Sequence, residues 1–493
     1  MTILYIILGL LSIVAIRDIF FNKKHSIQHN YPLVGHIRYM LEKIGPELRQ
    51  YWVANDTEEL PFSREWRNWI YRSSKVKNNM TGFGTASDFN KKGHIIIKND
   101  MFPFVPKNLE AAKKVEDILK PIKIIGPNRK KPYYPTSIIN ISGMSFGALS
   151  GPAVESLNKG AKIAGCYQNT GEGGFSKFHN NGADVIFQIG TGYFGVCDDS
   201  GKFSMEKLIK LVEENPCIKA IEIKLSQGAK PGKGGILPAE KMTDEIAKAR
   251  GLIGGQAAIS PAMHSEFSDI VTMIVFIEKI SKVTGLPVGI KSSVGNLSDW
   301  EVLAETISIT NEGPDFITID GGEGGTGAAP ASFTDHLSLP FDLAFYSVKK
   351  IFEERRMNTH TNKLNEIVFI GSAKLGLPGN AIKAFAMGVD MINVAREALM
   401  SIGCIQAQRC HTNKCPTGIA TQNKWLQKGV DPTDKAERCA NYIKTLRKEI
   451  KELTHASGKE HPSQFKMEDV LIQTGSKNGF ITLDKYFKNK NLL

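Results

Sequence analysis

Cysteine is scarce in this chain and unevenly spread: seven among 493 residues, none before Cys166, and three of them crowded into 404–415. The other four, Cys166, Cys197, Cys217 and Cys439, stand far apart. That distribution excludes a disulfide framework and suits a reducing compartment, where thiols stay free to bind metal. No nucleic-acid motif accompanies the formal charge of +12, and the basic residues are spread along the chain. Nucleic acid is therefore not an expected partner, and clusters such as Arg129-Lys130-Lys131 read as solvated faces. No GxGxxG unit stands in a strand-turn-helix setting, so a nicotinamide nucleotide would have to act through another protein. Apolar and charged fractions of 42% and 23% are those of an ordinary globular protein with one large domain and attachments.

One hydrophobic run opens the chain. Thr2 to Ile16 is uncharged and apolar, and Arg17-Asp18 separate it from Ile19-Phe20-Phe21. No basic residue precedes it and no small-residue cleavage site follows, which argues against a removable signal peptide. The run alone is short for a span of about 20 residues. Lys23, Lys24 and His25 follow it, and the positive-inside tendency then keeps the rest cytoplasmic. The expectation is a single-pass N-terminal anchor over 1–21; a buried or interfacial helix is the alternative.

From residue 137 short apolar strands alternate with helical stretches. The candidates are 137–141, 164–168, 185–189, 220–224, 287–291, 315–319, 367–371 and 391–395. Near-continuous apolar strands separated by helices mean a parallel sheet buried on both faces. Eight such units predict an α/β fold, a closed (β/α)8 TIM barrel, with an enlarged loop over 225–286. Chemistry in such barrels sits at the C-terminal ends of the strands. There the loops are glycine-rich: DGGEGGTGAAP (320–330) and GSAKLGLPGN (371–380). Glycine lets backbone amides approach an anion, and the late loops of a barrel are its usual phosphate site. Lys291 ends the fifth strand; an inward-facing cation there suits the N1–C2=O edge of a reduced flavin, though a lysine reaching bulk water is the plainer reading.

The three crowded cysteines are Cys404, Cys410 and Cys415, with intervals of five and then four residues. Three thiolates on one loop can converge on an iron-sulfur cluster. The spacing is not the tight knuckle of most zinc sites, although zinc with His411, or no metal at all, are the other readings. Three ligands favour a 3Fe-4S cluster over a four-iron one.

These motifs together resemble the FMN-binding synthase domain of glutamate synthases, above all its shorter, stand-alone members. The matching stretches are ISGMSFGALSGPA (141–153), QNTGEGGFS (168–176), QIGTGYFGV (188–196), KLSQGAKPGKGGILP (224–238), AISPAMH (258–264), DGGEGGTGAAP (320–330) and CIQAQRCHTNKCPTGIATQ (404–422), in the family order. The resemblance implies FMN over the barrel mouth, a 3Fe-4S cluster held by Cys404, Cys410 and Cys415, and reduction of 2-iminoglutarate, formed from 2-oxoglutarate and ammonia, to L-glutamate. It implies catalytic roles near the substrate for Glu172 and Lys230. It places Ser145, Asn169, Gln188, Lys291, Gly325, Thr326, Gly371 and Ser372 around FMN. A lysine can pair with a substrate carboxylate, and a carboxylate can hold an iminium or move its proton.

Departures from the family matter as well. The glutaminase domain and its N-terminal catalytic cysteine have no counterpart in this sequence, so free ammonia or a separate glutaminase subunit is expected. Electrons would come from ferredoxin or an NAD(P)H-dependent reductase subunit. Where the large synthases read GAKPGEGGQLP, this chain has Lys233 and Ile236, and Gly322-Glu323 replace a His-Asp pair. Such exchanges can redirect a site to another imine or 2-oxo acid. A membrane-tethered flavin/iron-sulfur electron carrier is a rival reading, but one that would tolerate loss of Glu172 or Lys230. A hydroxyacid-oxidase or nucleotide-dehydrogenase barrel is a further one, yet it needs a late His/Arg pair or a lone nucleophilic cysteine that is not evident. The expected organisation is an anchor over 1–21, a mostly helical extension over 22–104, the barrel with its iron-sulfur loop over 105–430, and a helical extension over 431–493. In the last of these Ala440, Tyr442, Ile443, Leu446 and Ile450 form an apolar stripe.

Overall fold

Short runs of Ile, Val and Phe, bounded by Gly, Asn and Ser, make the strands. The computed structural model describes residues 1–22, 25–77, 79–80, 82–106, 119–252, 255–359, 361–475 and 479–489. Two compact units divide the chain, 1–68 and 69–493. In the larger unit β1 (Ile95–Ile97) comes first, followed by β2 (Ile139–Ile141), β3 (Gln168–Asn169), β4 (Val185–Ile189) and β5 (Ile218–Lys224). Next come β6 (Ile236–Leu237) and β7 (Ala258–Ile259), then β8 (Val288–Ser292), β9 (Phe316–Asp320), β10 (Val368–Ser372) and β11 (Met391–Val394), and finally β12 (Val470–Gln473) and β13 (Phe480–Thr482).

Eight of these strands, β2-β3-β4-β5-β8-β9-β10-β11, form the closed parallel barrel that the alternation of strands and helices predicts. The seam pairs β11 with β2, Ile392 opposite Ile139 and Val394 opposite Ile141. The strand expected over 164–168 starts later, at Gln168. Its physical reason is Gly165, whose φ of +66 ends the preceding helix, Gly151–Ala164, in a left-handed turn. That helix begins at Ser150, whose hydroxyl accepts from the Ala153 amide, with Pro152 in its first turn. β6 and β7 pair antiparallel inside the long 225–286 insertion, while β1, β12 and β13 form a separate three-stranded sheet.

The closed end of the barrel is filled by Ile125, Tyr133, Tyr167, Ile186, Ala220, Phe316, Val368, Ile370 and Met391. Gly289 admits Phe316: a Cβ there would lie 2.4 Å from the Phe316 ring. Outside this plug, Arg129 reaches Glu278 at 2.5 Å and Asp315 at 2.9 Å, and Lys363 reaches Asp315 at 2.6 Å. Asp315 also accepts from the Val288 amide, so one carboxylate ties the starts of β8 and β9 to the flanking segments. The helix Pro432–Ala456 buries Cys439, Ala440, Tyr442, Ile443, Leu446 and Ile450. It lies against the Gly151–Ala164 helix, where a Cβ on Gly160 would meet Cys439 Cβ at 2.6 Å and Arg447 donates to the Ala164 carbonyl at 2.7 Å.

In the smaller unit the helix Thr2–Ile16 continues as a π-helical turn to Phe21. The run of Thr2–Phe21 is thereby 20 residues, long and apolar enough to cross a membrane by length and composition. Lys23 and Lys24 lie outside the described residues. Two further helices, Ser26–Asn30 and Val34–Leu48, follow.

Candidate active site at the mouth of the barrel

The last residues of β3, β5, β8 and β9 and the loops behind them carry a concentration of charge with little access to water. Glu172, just beyond β3, receives Lys224 Nζ at 2.9 Å. Lys224 also donates to Gln227 Oε1 at 2.6 Å. Burial by itself raises the Glu172 carboxyl, but the nearby ammonium groups of Lys224 and Lys230 outweigh it and hold it below its ordinary value. Lys230 is buried and donates to the Gly234 carbonyl at 3.1 Å. Burial pulls its pKa down, against Glu172, which favours the charged form. Thr191, Ser226, Gly232 and Gly235 complete the pocket around these groups.

His264 holds the Lys224 end of this arrangement. Its Nε2 faces the Lys224 carbonyl at 3.0 Å and its Nδ1 the Tyr193 hydroxyl at 3.2 Å. A carbonyl can only accept, so the ring carries its hydrogen on Nε2 and Nδ1 accepts from Tyr193. Tyr193 in turn accepts from the amides of Ser265 and Glu266.

Beside that pocket lies a second polar layer. Glu222 accepts from Asn169 Nδ2 at 2.8 Å, Gln188 Nε2 at 2.6 Å and Thr318 Oγ1 at 2.7 Å. The amide faces of Asn169 and Gln188 are thereby set, with the Asn169 carbonyl oxygen accepting from Gly171 N. Lys291 pairs with Asp320 at 3.3 Å, which offsets the cost of burying it and raises its pKa. Asp320 accepts from Ser372 Oγ at 2.7 Å and from Gly228 N at 2.8 Å. Gly228 has no room for a side chain, since a Cβ would lie 1.8 Å from the Gly321 carbonyl oxygen.

Ser145, half-buried after β2, is packed by Gly171 and Gly173; a Cβ on either would come within 2.7 Å of it. Gly325 and Thr326 are exposed, Gly371 and Ser372 buried. A Cβ on Gly325 would stand 2.8 Å from Arg396 Nη1, so the loop after β9 and the chain leaving β11 approach as closely as glycine allows. Burial, opposed by Glu397, lowers the Arg396 pKa, and burial together with Arg396 lowers that of Lys374. Two cations thus face the same glycine-rich loops. Glu323 serves the fold: its carboxylate accepts from the Phe341 amide at 2.9 Å, at the start of the Phe341–Met357 helix.

Cys404 is half-buried, Cys410 exposed and Cys415 buried. Among the described residues no three Cys, His, Asp or Glu side chains are gathered as a ready metal site. The thiols differ in character: burial and the neighbouring Cys415 raise the Cys410 thiol. Burial raises the Cys415 thiol, but hydrogen bonding to Thr417 and to the backbone at Ala420, Thr417 and Ile419 brings it below its ordinary value. Lys241 Nζ donates to the Cys410 carbonyl at 2.7 Å and to Ala420 at 3.1 Å, placing a cation beside both thiols. A Cβ on Gly327 would touch Cys410 Cβ at 3.0 Å, so this loop abuts the one after β9.

Sequence reasoning passes over Lys224, Glu222, Asp320, His264, Lys241 and Arg396. The readable signal is positional: the first three end, or lie within, strands whose neighbours it does name.

The region conserved in glutamate synthases matches residues 85–460. The glutamate synthase large subunit-like protein YerD of Bacillus subtilis is 38% identical over 483 residues, 92% of this chain and 90% of that protein. The archaeal glutamate synthase (NADPH) of Methanocaldococcus jannaschii is 36% identical over 358 residues, 72% of this chain and 65% of that protein. For the archaeal-type glutamate synthase (NADPH) of Thermotoga maritima the identity is 35% over 327 residues, 65% of this chain and 59% of that protein. The chain thus spans less than two thirds of the length of the latter two. With a matched region that takes in the whole barrel, its mouth and the cysteine loop, the chain belongs to the glutamate synthase family of oxidoreductases.

Proposed function

We propose that this chain reduces 2-iminoglutarate, formed from 2-oxoglutarate and ammonia, to L-glutamate, using FMN and an iron-sulfur cluster. The observation that carries this reading is the Lys230, Glu172 and Lys224 constellation, two cations and a carboxylate held ionised in one pocket beside Lys291. Lys230 would hold a substrate carboxylate through a charge-assisted hydrogen bond. Glu172, kept charged by Lys224, would hold the iminium and manage its proton. His264 fixes the backbone from which Lys224 projects.

Donors of the kinds that both groups need are present in the chain. Ser145, Asn169, Gln188 and Lys291 would line the flavin ring, and Gly325, Thr326, Gly371, Ser372 and Arg396 would hold its phosphate, with the Arg396 guanidinium packed directly against Gly325. Cys404, Cys410 and Cys415 would hold the cluster, most naturally 3Fe-4S, with Lys241 offsetting its negative charge. When bound, FMN supplies hydride transfer and the cluster supplies single electrons. The electron donor would be a ferredoxin or an NAD(P)H-dependent reductase, and ammonia would come free or from a separate glutaminase subunit. In this organisation 105–430 is the catalytic barrel with its iron-sulfur loop, 22–104 and 431–493 are extensions, and 1–21 is a single-pass anchor leaving the catalytic part cytoplasmic. The exposure of nearly all the Thr2–Phe21 side chains supports the anchor.

A second reading, a reductase of another 2-oxo acid imine, is favoured by one observation. Lys233 lies 5.3 Å from the Phe333 ring centroid and Ile236 is exposed, so neither offers the acidic or amide group of the large synthases. The test is the absorption spectrum of protein purified without oxygen, followed by glutamate formation from 2-oxoglutarate and ammonia with reduced ferredoxin. Flavin bands on a broad iron-sulfur background with turnover are expected. Protein that binds neither group would refute the proposal, and both groups with turnover only on another 2-oxo acid would favour the second reading.

A further inference from the structure

The helix Val34–Leu48 and the π-helical turn Arg49–Val53 present two faces of opposite character. One is packed. Gly35 is buried, and a Cβ on it would stand 2.8 Å from the Ile27 carbonyl oxygen. His36 Nε2 meets Asp18 Oδ2 at 2.7 Å, Gln28 Nε2 meets His36 Nδ1 at 3.2 Å, and Asn22 Nδ2 donates to Gln28 Oε1 at 2.6 Å. This polar ladder fixes the helix to the end of the Thr2–Phe21 run. The opposite face carries Val34, Ile37, Leu41, Ile44 and Leu48, at the spacing of one helical stripe, and all five are exposed. Trp52 extends the stripe and is 83% exposed. Charges of both signs flank it, with Arg38, Glu42 and Arg49 on one side and Glu47 on the other, all exposed.

We propose that 34–53 is an in-plane helix whose apolar stripe enters the acyl boundary of the same membrane into which Thr2–Phe21 inserts, with Trp52 at headgroup level. The proposal rests on the anchor reading of that first helix. Two features select a lipid surface as the occupant. His36 ties the helix to Asp18, next to the exposed apolar end of the first helix, Ile19, Phe20 and Phe21. Trp52 and Tyr51 close its far end, where an interface favours aromatic rings with a polar edge.

The test uses the full chain in phosphatidylcholine/phosphatidylglycerol vesicles, with and without bromine on the upper acyl carbons. Brominated vesicles should quench roughly one fifth of the tryptophan emission, the share of one tryptophan in five. Trp52→Phe should lose that quenching while still floating with the vesicles. The triple variant I37E/L41E/I44E should lose it too, because the stripe no longer enters the lipid although the anchor remains. Equal quenching in wild type and Trp52→Phe, with both afloat, would overturn the in-plane helix alone. So would a dimer in detergent that the triple variant dissociates, since the stripe would then be covered by a second copy. Protein that does not float at all would remove the anchor reading and this proposal with it.

Discussion

Replacing His264 by glutamine removes a proton-binding site that the folded barrel resists loading. The ring is 3% exposed, and burial pushes its pKa from 6.5 down to about 4 despite the Lys224 carbonyl and the Glu172 charge. Bonding adds a reason: a proton on Nδ1 would point at the Tyr193 hydroxyl, whose lone pairs already serve two backbone amides. The neutral form is favoured in the native state, so this contribution is fully present above pH 6.5 and is lost as pH falls towards 4. A gap of about 2.5 pH units corresponds to about 3.4 kcal/mol in total, and integration from pH 7 to 5 gives about 2 kcal/mol. Glutamine can still donate to the Lys224 carbonyl and accept from Tyr193, but it does not titrate. Urea unfolding of both proteins at the two pH values should show wild type losing about 2 kcal/mol more than His264→Gln. His179, buried and pushed down to about 3, titrates in both proteins and cancels in the difference. Parallel losses in the two proteins would refute the reasoning.

Lys230→Met should raise the KM for 2-oxoglutarate about 10- to 150-fold, the loss of one charge-assisted hydrogen bond, without removing bound flavin; an unchanged KM would show that Lys230 does not hold the substrate. In the wild type KM should rise with pH earlier than an ordinary lysine allows, because burial lowers the pKa at which Lys230 loses its charge. Cys410→Ser should abolish the broad visible iron-sulfur absorption and leave the flavin bands; retention of both would exclude Cys410 as a ligand. Gly228→Ala, whose methyl group would sit on the Gly321 carbonyl, should cost about 1–3 kcal/mol and lower the flavin-release temperature in a thermal melt.

The barrel is legible because its strands alternate so regularly with helices and because every candidate strand is apolar enough to be buried on both sides. The strand displaced furthest is also the one with the most polar residues, Gln168 and Asn169, whose burial depends on partners such as Glu222 rather than on hydrophobicity. Glu172 and Lys230 stand out through their motifs. Lys224 does not, since a lysine at a strand end bears no mark of its partner, and its pairing with Glu172 exists only where two separate loops meet. Glu323 shows the reverse problem: it invites a substrate role by position, yet it accepts from the Phe341 amide. The stripe along 34–53 was hidden by its charged flanks, which make the segment read as an ordinary surface helix.

The seam between β11 and β2 and the crossing of Pro432–Ala456 over Gly151–Ala164 have a consequence for biosynthesis. The first barrel strand leaves the ribosome long before the strand that closes it. At roughly 5–20 residues per second, the stretch 139–456 takes about 15–60 s to translate. Throughout that interval the edge of β2 and the helix surface around Gly160 await partners not yet made. Nascent chains that have emerged only short of residue 391 should therefore present an open parallel edge to chaperones, and those that have emerged to between 394 and 432 a closed sheet with one uncovered helix.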